Sequence, residues 1–383
     1  MPHQNSAEPL ADLTRPGQSN STGDARALYL KLFSGEMFKG FQRNTIARDL
    51  VTKRTLKNGK SLQFIYTGRT TAEYHVPGRS ILGNDDGAPP VAEKTITCDD
   101  LLISSAFVYE LDETLSHYDL RGEISKKIGY ALAEKYDRLI FRSIAKGARL
   151  ASPITKANFV EPGGSQVQVG TGSGATSDAW DAAKLINAFY DAAAVLDEKG
   201  LSTDGRSAVL SPRQYYELIQ KVGDGGLVNR DVQGTALQSG QGVIEIAGIK
   251  IYKSMNIPFL GKYGVKYGET NGPADPGNTG SFVQPATEDA RSNVTGIHNN
   301  YGNSDKWAKS CGLIFQKEAA GVVEAIGPQV QVTSNDVSVI YQGDVILGRL
   351  AMGADFLNPA ACVELHATSS ADAAFGDNYP TNA

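Results

Sequence analysis

SHYDLRGEISKKIGYALAEKYDRLIFRSIAKG, residues 116–147, is the most strongly periodic stretch of this 383-residue chain. Leu120, Ile124, Ile128, Ala131, Leu132, Tyr136, Leu139, Ile140 and Ile144 recur three and four residues apart, the spacing of one helix face. The pattern predicts a single helix over 116–146, with Gly147 as its C-terminal cap. About thirty residues at about 1.5 Å each make a rod of about 45 Å. A globular domain rarely needs a helix of that length. It predicts a spine for a flat, elongated subunit.

Upstream of the rod the charge is unevenly distributed. Arg43, Arg48, Lys53, Arg54, Lys57 and Lys60 face a single acid, Asp49, within 43–60. From 85 to 113 the acids Asp85, Asp86, Glu93, Asp99, Asp100, Glu110, Asp112 and Glu113 face a single base, Lys94. The two stretches can pair between subunits, or each can be a solvated face with no fixed partner. Between them, Ser61 to Tyr66 reads as a strand entered by an Asn58-Gly59 turn, and Thr70 to Val76 as a second extended piece. Pro77-Gly78 and the 83–90 cluster read as turns. A two-stranded excursion with so few core residues is marginal by itself, so it needs a neighbour to lie on. Residues 1–23, rich in Ser, Asn, Pro and Gly, read as a mobile tail, and Asp24 as the cap of a short helix.

Downstream, 152–177 carries glycines and small polar residues and reads as a break, with 163–174 as a flexible linker. A second helix is expected from a cap at Asp178 to Lys199, stopped by Gly200. Its stripe is Leu185, Ile186, Phe189, Ala193 and Leu196. Ser207 to Leu210 reads as a buried strand feeding a helix capped by Ser211 and opened by Pro212. Residues 242–252 alternate like a strand pair turning at Gly248. The Asn- and Gly-rich 261–304 stretch reads as a surface insertion. Short strands are expected at 330–332, 337–341 and 363–365. The order predicts an α+β fold with helices and strands segregated rather than alternating.

The bulk numbers exclude several functions. Hydrophobic residues at 41% and charged residues at 21% predict a true core. A net charge of −5 argues against a chain whose main task is gripping nucleic acid. Cys98, Cys311 and Cys362 are too few and too far apart for a disulfide framework or a paired-cysteine zinc site, and read as reduced thiols. The N-terminal residues lack the apolar core of a signal peptide, and no apolar run approaches the length of a membrane span.

The search for chemistry yields little. Gly59-Lys60-Ser61 resembles the end of a phosphate-binding loop, but the glycine required five residues earlier is Arg54. No HExxH and no GxSxG occurs. His3, His75, His117, His298 and His366 are scattered. Asp85-Asp86-Gly87 lacks the leading carboxylate of a calcium loop, because position 82 is Leu. No catalytic, cofactor-binding or metal residue is therefore expected.

A series of short matches carries more. Gly23-Asp24, Ala27-Leu28, Leu30-Lys31 and Gly35-Glu36 come first. Gly59-Lys60-Ser61, Gln63-Phe64, Gly68-Arg69-Thr70, Ala72, Tyr74 and Pro77-Gly78 follow. Glu93-Lys94, Ile96-Thr97, Asp100-Leu101-Leu102 and His117-Tyr118-Asp119 complete the series. In this order and spacing the chain resembles the T-seven-like major capsid proteins of short-tailed double-stranded DNA phages (podoviruses). The match thins beyond 150, where Val209-Leu210-Ser211-Pro212 and Gly248-Ile249 persist.

The resemblance implies the Hong Kong 97-type capsid fold. It places a flexible tail at 1–23, an N-terminal arm at 24–55 and an extended E-loop at 56–95. A peripheral domain follows at 96–177, with its spine at 116–146. An axial domain lies at 178–320, with its insertion at 261–304. Return strands and a C-terminal tail fill 321–383. It also implies the collective function of a coat protein, closing as hexamers and pentamers into an icosahedral shell around the phage DNA. The partners it implies are further copies of the chain, a scaffolding protein, a portal at one vertex, a terminase, and non-specifically held DNA. Membranes are not among them. The implied location is the virion, after assembly in the host bacterial cytoplasm.

Lys60, Arg69, Tyr74, Pro77, Gly78 and Arg79 are the expected E-loop contacts, and Asp85, Asp86, Asp112 and Glu113 the carboxylates of the neighbour that meet them. Two alternatives stand beside this reading. A bacterial nanocompartment shell shares the fold, and a soluble oligomeric enzyme would require a pocket of converging titratable groups.

Overall fold

The structure is a computed structural model and describes residues 46–68, 72, 74–78, 91–98, 101–111, 120–152, 155–156, 159–170, 176–220, 244–254, 256–257, 310–332 and 342–367. In chain order the described elements begin with the short helix α1 (Ala47–Leu50) and strands β1 (Thr52–Thr55), β2 (Ser61–Thr67), β3 (Val91–Thr97) and β4 (Leu102–Tyr109). The long helix α2 (Leu120–Ala148) follows, then β5 (Thr155–Lys156), β6 (Phe159–Val160) and β7 (Ser165–Gln168). A 3-10 turn (Thr176–Trp180) leads into α3 (Ala182–Glu198), β8 (Arg206–Leu210) and α4 (Pro212–Gln220). The chain then forms β9 (Ile244–Ile246), β10 (Ile249–Lys253), β11 (Ser310–Gln316), β12 (Ala320–Val332), β13 (Gly343–Phe356) and β14 (Cys362–His366).

The described residues fall into two compact units. One draws on 101–111, 120–135, 325–332 and 342–352. In it β4 pairs antiparallel with β13, from Gly343 opposite Tyr109 to Leu350 opposite Leu102. Val108 and Ile346 from this pair meet Ile128 and Leu132 of α2 in a small core. Gly348 permits the approach, because a Cβ there would lie 2.4 Å from Ile128.

The other unit holds the larger core. Its six-stranded sheet runs β7-β14-β11-β8-β10-β9. β8, β11 and β14 are buried along their whole length, as expected of strands covered on both faces. Leu185, Phe189 and Leu196 of α3 and Leu218 of α4 pack against the sheet. Each fully buried side chain of this size contributes about 1.5–3 kcal/mol relative to exposure. β8 and β10 are adjacent and parallel, and α4 is carried on the chain between them. One strand-helix-strand crossover therefore sits inside a fold expected to be segregated.

The expected helix is present over Leu120–Ala148, ending two residues later than expected; residues 112–119 lie outside the described residues. Gly147 is not its cap. It lies inside the last turn, where a Cβ would stand 2.9 Å from Cys362 Sγ and 3.0 Å from Phe356 Cβ. The stripe holds for Ile128, Leu132, Tyr136, Leu139, Ile140 and Ile144, while Ala131 is exposed. From Tyr136 onward burial extends around the helix and takes in Asp137, Arg138 and Arg142.

The cap of α3 is Asp181, whose carboxylate accepts from the Ala183 N–H at 3.0 Å; Asp178 instead pairs with Lys184. Ser211 caps α4 as expected. Its Oγ accepts from Gln214 N–H at 3.4 Å while Gln214 Oε1 accepts from Ser211 N–H at 3.2 Å, a reciprocal capping box. The turn between β9 and β10 falls at Ala247-Gly248, both at positive φ, the two-residue hairpin geometry.

Three strand expectations change. The partner of β2 is Val91–Thr97 rather than a segment at 70–76. The 163–174 stretch is not a plain linker: β7 pairs parallel with β14, and a Cβ on Gly164 would lie 2.2 Å from the Gly147 carbonyl oxygen. The strand expected at 330–332 is the end of the longer β12; the one expected at 337–341 lies outside the described residues. The tail 1–23, the Asp24 cap and the 261–304 insertion also lie outside them.

Candidate intersubunit surface

The expected contact region is built on β2 and β3. They pair antiparallel from Ser61 opposite Thr97 to Thr67 opposite Val91, and the Cys98 N–H donating to the Lys60 carbonyl at 2.8 Å closes the base. Strand alternation sends Leu62 and Phe64 to one side, where they pack on Leu56, Ile96 and Val323. Ile65 points the other way and is 74% exposed.

The root is also held electrostatically. Lys94 Nζ lies 2.7 Å from Asp355 Oδ2 and 3.9 Å from the centroid of Phe356. Lys146 approaches the same carboxylate at 3.7 Å. Burial lowers the pKa of Lys146, and Asp355 offsets part of that. An open cleft of about 480 Å³ beside β2 is lined by Phe64, Ile65, Lys94, Glu161, Leu201 and Leu357 among others.

Beyond the root the chain leaves its own core. Tyr74 is 99% exposed, Val76 56% and Val91 58%. Pro77 and Gly78 are exposed, and Gly78 has φ +88°, a turn conformation that suits glycine. Lys60 is exposed at the base. Lys60, Tyr74, Pro77 and Gly78 are thus all exposed. Arg69, Arg79, Asp85, Asp86, Asp112 and Glu113 lie outside the described residues.

The basic segment before the ribbon has partners that the sequence reading missed. Arg48 donates from Nε and Nη2 to both oxygens of Glu324 at 3.2 Å. Lys53 Nζ lies 2.7 Å from Glu324 Oε2, and Tyr136 Oη donates to Oε1 at 2.8 Å. Asp137, fully buried, accepts from the backbone N–H of Ile46 and Ala47 at 3.0 and 3.2 Å. These acids are in the same chain and outside the 85–113 stretch. The available signal was a lone acid inside an apolar strand, Val322-Val323-Glu324-Ala325, because a buried charge demands a counter-charge.

Nothing in this arrangement converges on a reacting atom. Gly59-Lys60-Ser61 leads into a strand rather than a helix, so it lacks the context of a phosphate-binding loop. Among the described residues no group of three His, Cys, Asp or Glu is placed to hold a metal, and no helix is long and apolar enough to cross a membrane.

Comparison with known proteins gives this geometry its meaning. The model of the Gp10A-like major capsid protein family matches residues 63–366. The chain belongs to that family. As a major capsid protein of a phage, it is a structural component of the virion. It is 26% identical over 347 residues to the major capsid protein of Escherichia phage T7, covering 89% of this chain and 92% of that protein. It is 34% identical over 134 residues to the major capsid protein of Enterobacteria phage T3, covering 34% of this chain and 38% of that protein.

Among solved structures, the capsid of cyanophage P-SCSP1u superposes with a TM-score of 0.66 at 31% identity, covering 92% of this chain and 98% of that one. The mature capsid of bacteriophage PhiM1 superposes at 0.60 with 18% identity, covering 95% and 100%. The fold is of the Hong Kong 97 type. The nanocompartment and enzyme alternatives gain no support from these similarities.

Proposed function

We propose that this capsid protein closes as hexamers and pentamers into an icosahedral shell, with each E-loop lying across an adjacent subunit. The observation that carries the reading is the ribbon. Its root is fixed by Leu62, Phe64 and the Lys94–Asp355 pair, while Ile65, Tyr74, Val76 and Val91 face solvent. An anchored strand pair that exposes apolar side chains is incomplete until something covers it.

The working boundaries are a tail at 1–23, an arm at 24–55, the E-loop at 56–95, a peripheral domain at 96–177 with return strands in 321–383, and an axial domain at 178–320. Arg69 and Arg79 meet Asp85, Asp86, Asp112 or Glu113 of a neighbour. Contacts of this kind are heterologous, with different surfaces of each copy engaged, and curvature closes them. A scaffolding protein templates the precursor, a portal occupies one vertex, and DNA fills the shell without sequence readout. Assembly takes place in the host bacterial cytoplasm.

The test is Arg69→Ala in the full chain. The variant is expected to fold, with an unchanged circular dichroism melt, and to form few closed particles by sedimentation. Wild-type yields of normal particles would refute the Arg69 contact.

A further inference from the structure

We propose that Glu324 and Asp137 form a releasable clasp, which holds the 46–56 segment on the fold and lets go when the Glu324 charge is lost. The proposal deepens the capsid reading by naming the device that sets whether the N-terminal arm is attached or free.

The segment has little else to hold it. β1 is four residues long, and three of them face solvent. Among the described residues it pairs on one side only, parallel to Gly321–Glu324 at the margin of the sheet. Ala47, Val51 and Leu56 are its buried apolar plugs. Thr52 Oγ1 donates to the Lys317 carbonyl at 3.1 Å, and the charged anchors converge on two carboxylates. Asp137 takes two backbone N–H groups at the start of the segment and the side-chain amide of Asn256 at 3.4 Å. Glu324 takes Arg48 bidentately, then Lys53 and Tyr136, and its own carbonyl accepts the Leu56 N–H at 2.8 Å.

The charged and titratable groups facing Glu324 are therefore Arg48 and Lys53 from the segment and Tyr136 from α2. Both cations are partly exposed, at 44% and 35%, while the Glu324 side chain is 6% exposed. No residue of the segment belongs to the core of the six-stranded sheet, and its departure would strip Glu324 of both its cations. That carboxylate is tolerable only when neutral or paired.

The sign of the acid response follows. Burial raises the pKa of Glu324, but Lys53, Tyr136 and Arg48 outweigh it and hold the carboxyl below its ordinary value. The clasp is thus complete above the ordinary glutamate value of about 4.3. It is lost as pH falls below that value, through the depressed one. Tyr136 does not titrate in this window. Burial and the glutamate push its hydroxyl far up, so it remains a donor.

Hydrogen–deuterium exchange on the full-length chain, corrected for intrinsic rates, tests the clasp. At neutral pH Glu324→Gln is expected to speed exchange of the Thr52–Leu56 amides about tenfold or more, with Ala208–Leu210 unchanged. Tyr136→Phe is expected to give a smaller rise in the same amides. Wild type is expected to reproduce the Glu324→Gln pattern on acidification below about pH 4, and Glu324→Gln to show a much smaller acid response than wild type. Unchanged exchange at 52–56 in Glu324→Gln, or a rise shared equally with 208–210, would overturn the proposal.

Discussion

Gly164 and Gly129 show how a glycine's meaning depends on what surrounds its missing side chain. At Gly164 a Cβ would lie 2.2 Å from the Gly147 carbonyl and 2.5 Å from Ala148 backbone atoms. Backbone on the opposing side cannot move away as a flexible side chain would. Gly164→Ala is expected to destabilise the unassembled subunit by about 3 kcal/mol. Gly129 lies within α2 with nothing inside 4 Å, so Gly129→Ala is expected to stabilise by about 0.5–1 kcal/mol. Guanidinium denaturation measures both, and the opposite signs are the result that matters. Neither prediction was legible in the sequence, where Gly164 read as part of a linker. The close approach of the chain at 164 to the end of α2 is a tertiary fact that local composition does not encode. The same limit hid Glu324 and Asp137, whose roles come from partners 276 and 90 residues away.

At the scale of elements, periodicity was reliable where one face is buried and weak where both are. α2 and α3 declared themselves through one apolar stripe each. β11, Ser-Cys-Gly-Leu-Ile-Phe-Gln, is buried throughout and offers no alternation to read, so it escaped notice. β12 was truncated and β13 missed for another reason. Their glycines and alanines look loop-like, yet Gly321, Gly348 and Gly353 are where neighbours press closest. A Cβ on Gly353 would fall 1.9 Å from the Thr97 carbonyl.

The β2–β3 ribbon was half legible. Its first strand was read correctly, but its return strand lies at 91–97, beyond the turn signals at Pro77-Gly78 and 83–90. The ribbon also carries an element-scale prediction. Ile65 is exposed opposite Glu93, so Ile65→Lys, which sets opposite charges across the pair, is expected to change subunit stability by less than about 0.5 kcal/mol. Shell formation is expected to fall sharply, because a charge would enter an apolar contact. Melting followed by circular dichroism and assembly followed by light scattering separate the two effects. A large stability loss would mean that Ile65 serves the fold rather than the interface.

At the scale of the whole molecule, the family was legible because the text of residues 23–119 survives as an ordered series of short matches. The contacts that make a shell were less so, since a subunit shows only its own half of each interface. What the single chain does show is a large core with an anchored ribbon that its own core leaves uncovered. The central claim is that this incompleteness is resolved by further copies. Expression of the chain with and without a scaffolding protein, followed by sedimentation and negative-stain microscopy, tests it most directly. Hollow icosahedral particles, or hexamers and pentamers that convert into them, are the predicted result. A monodisperse dimer or tetramer that never closes into shells under either condition would contradict it.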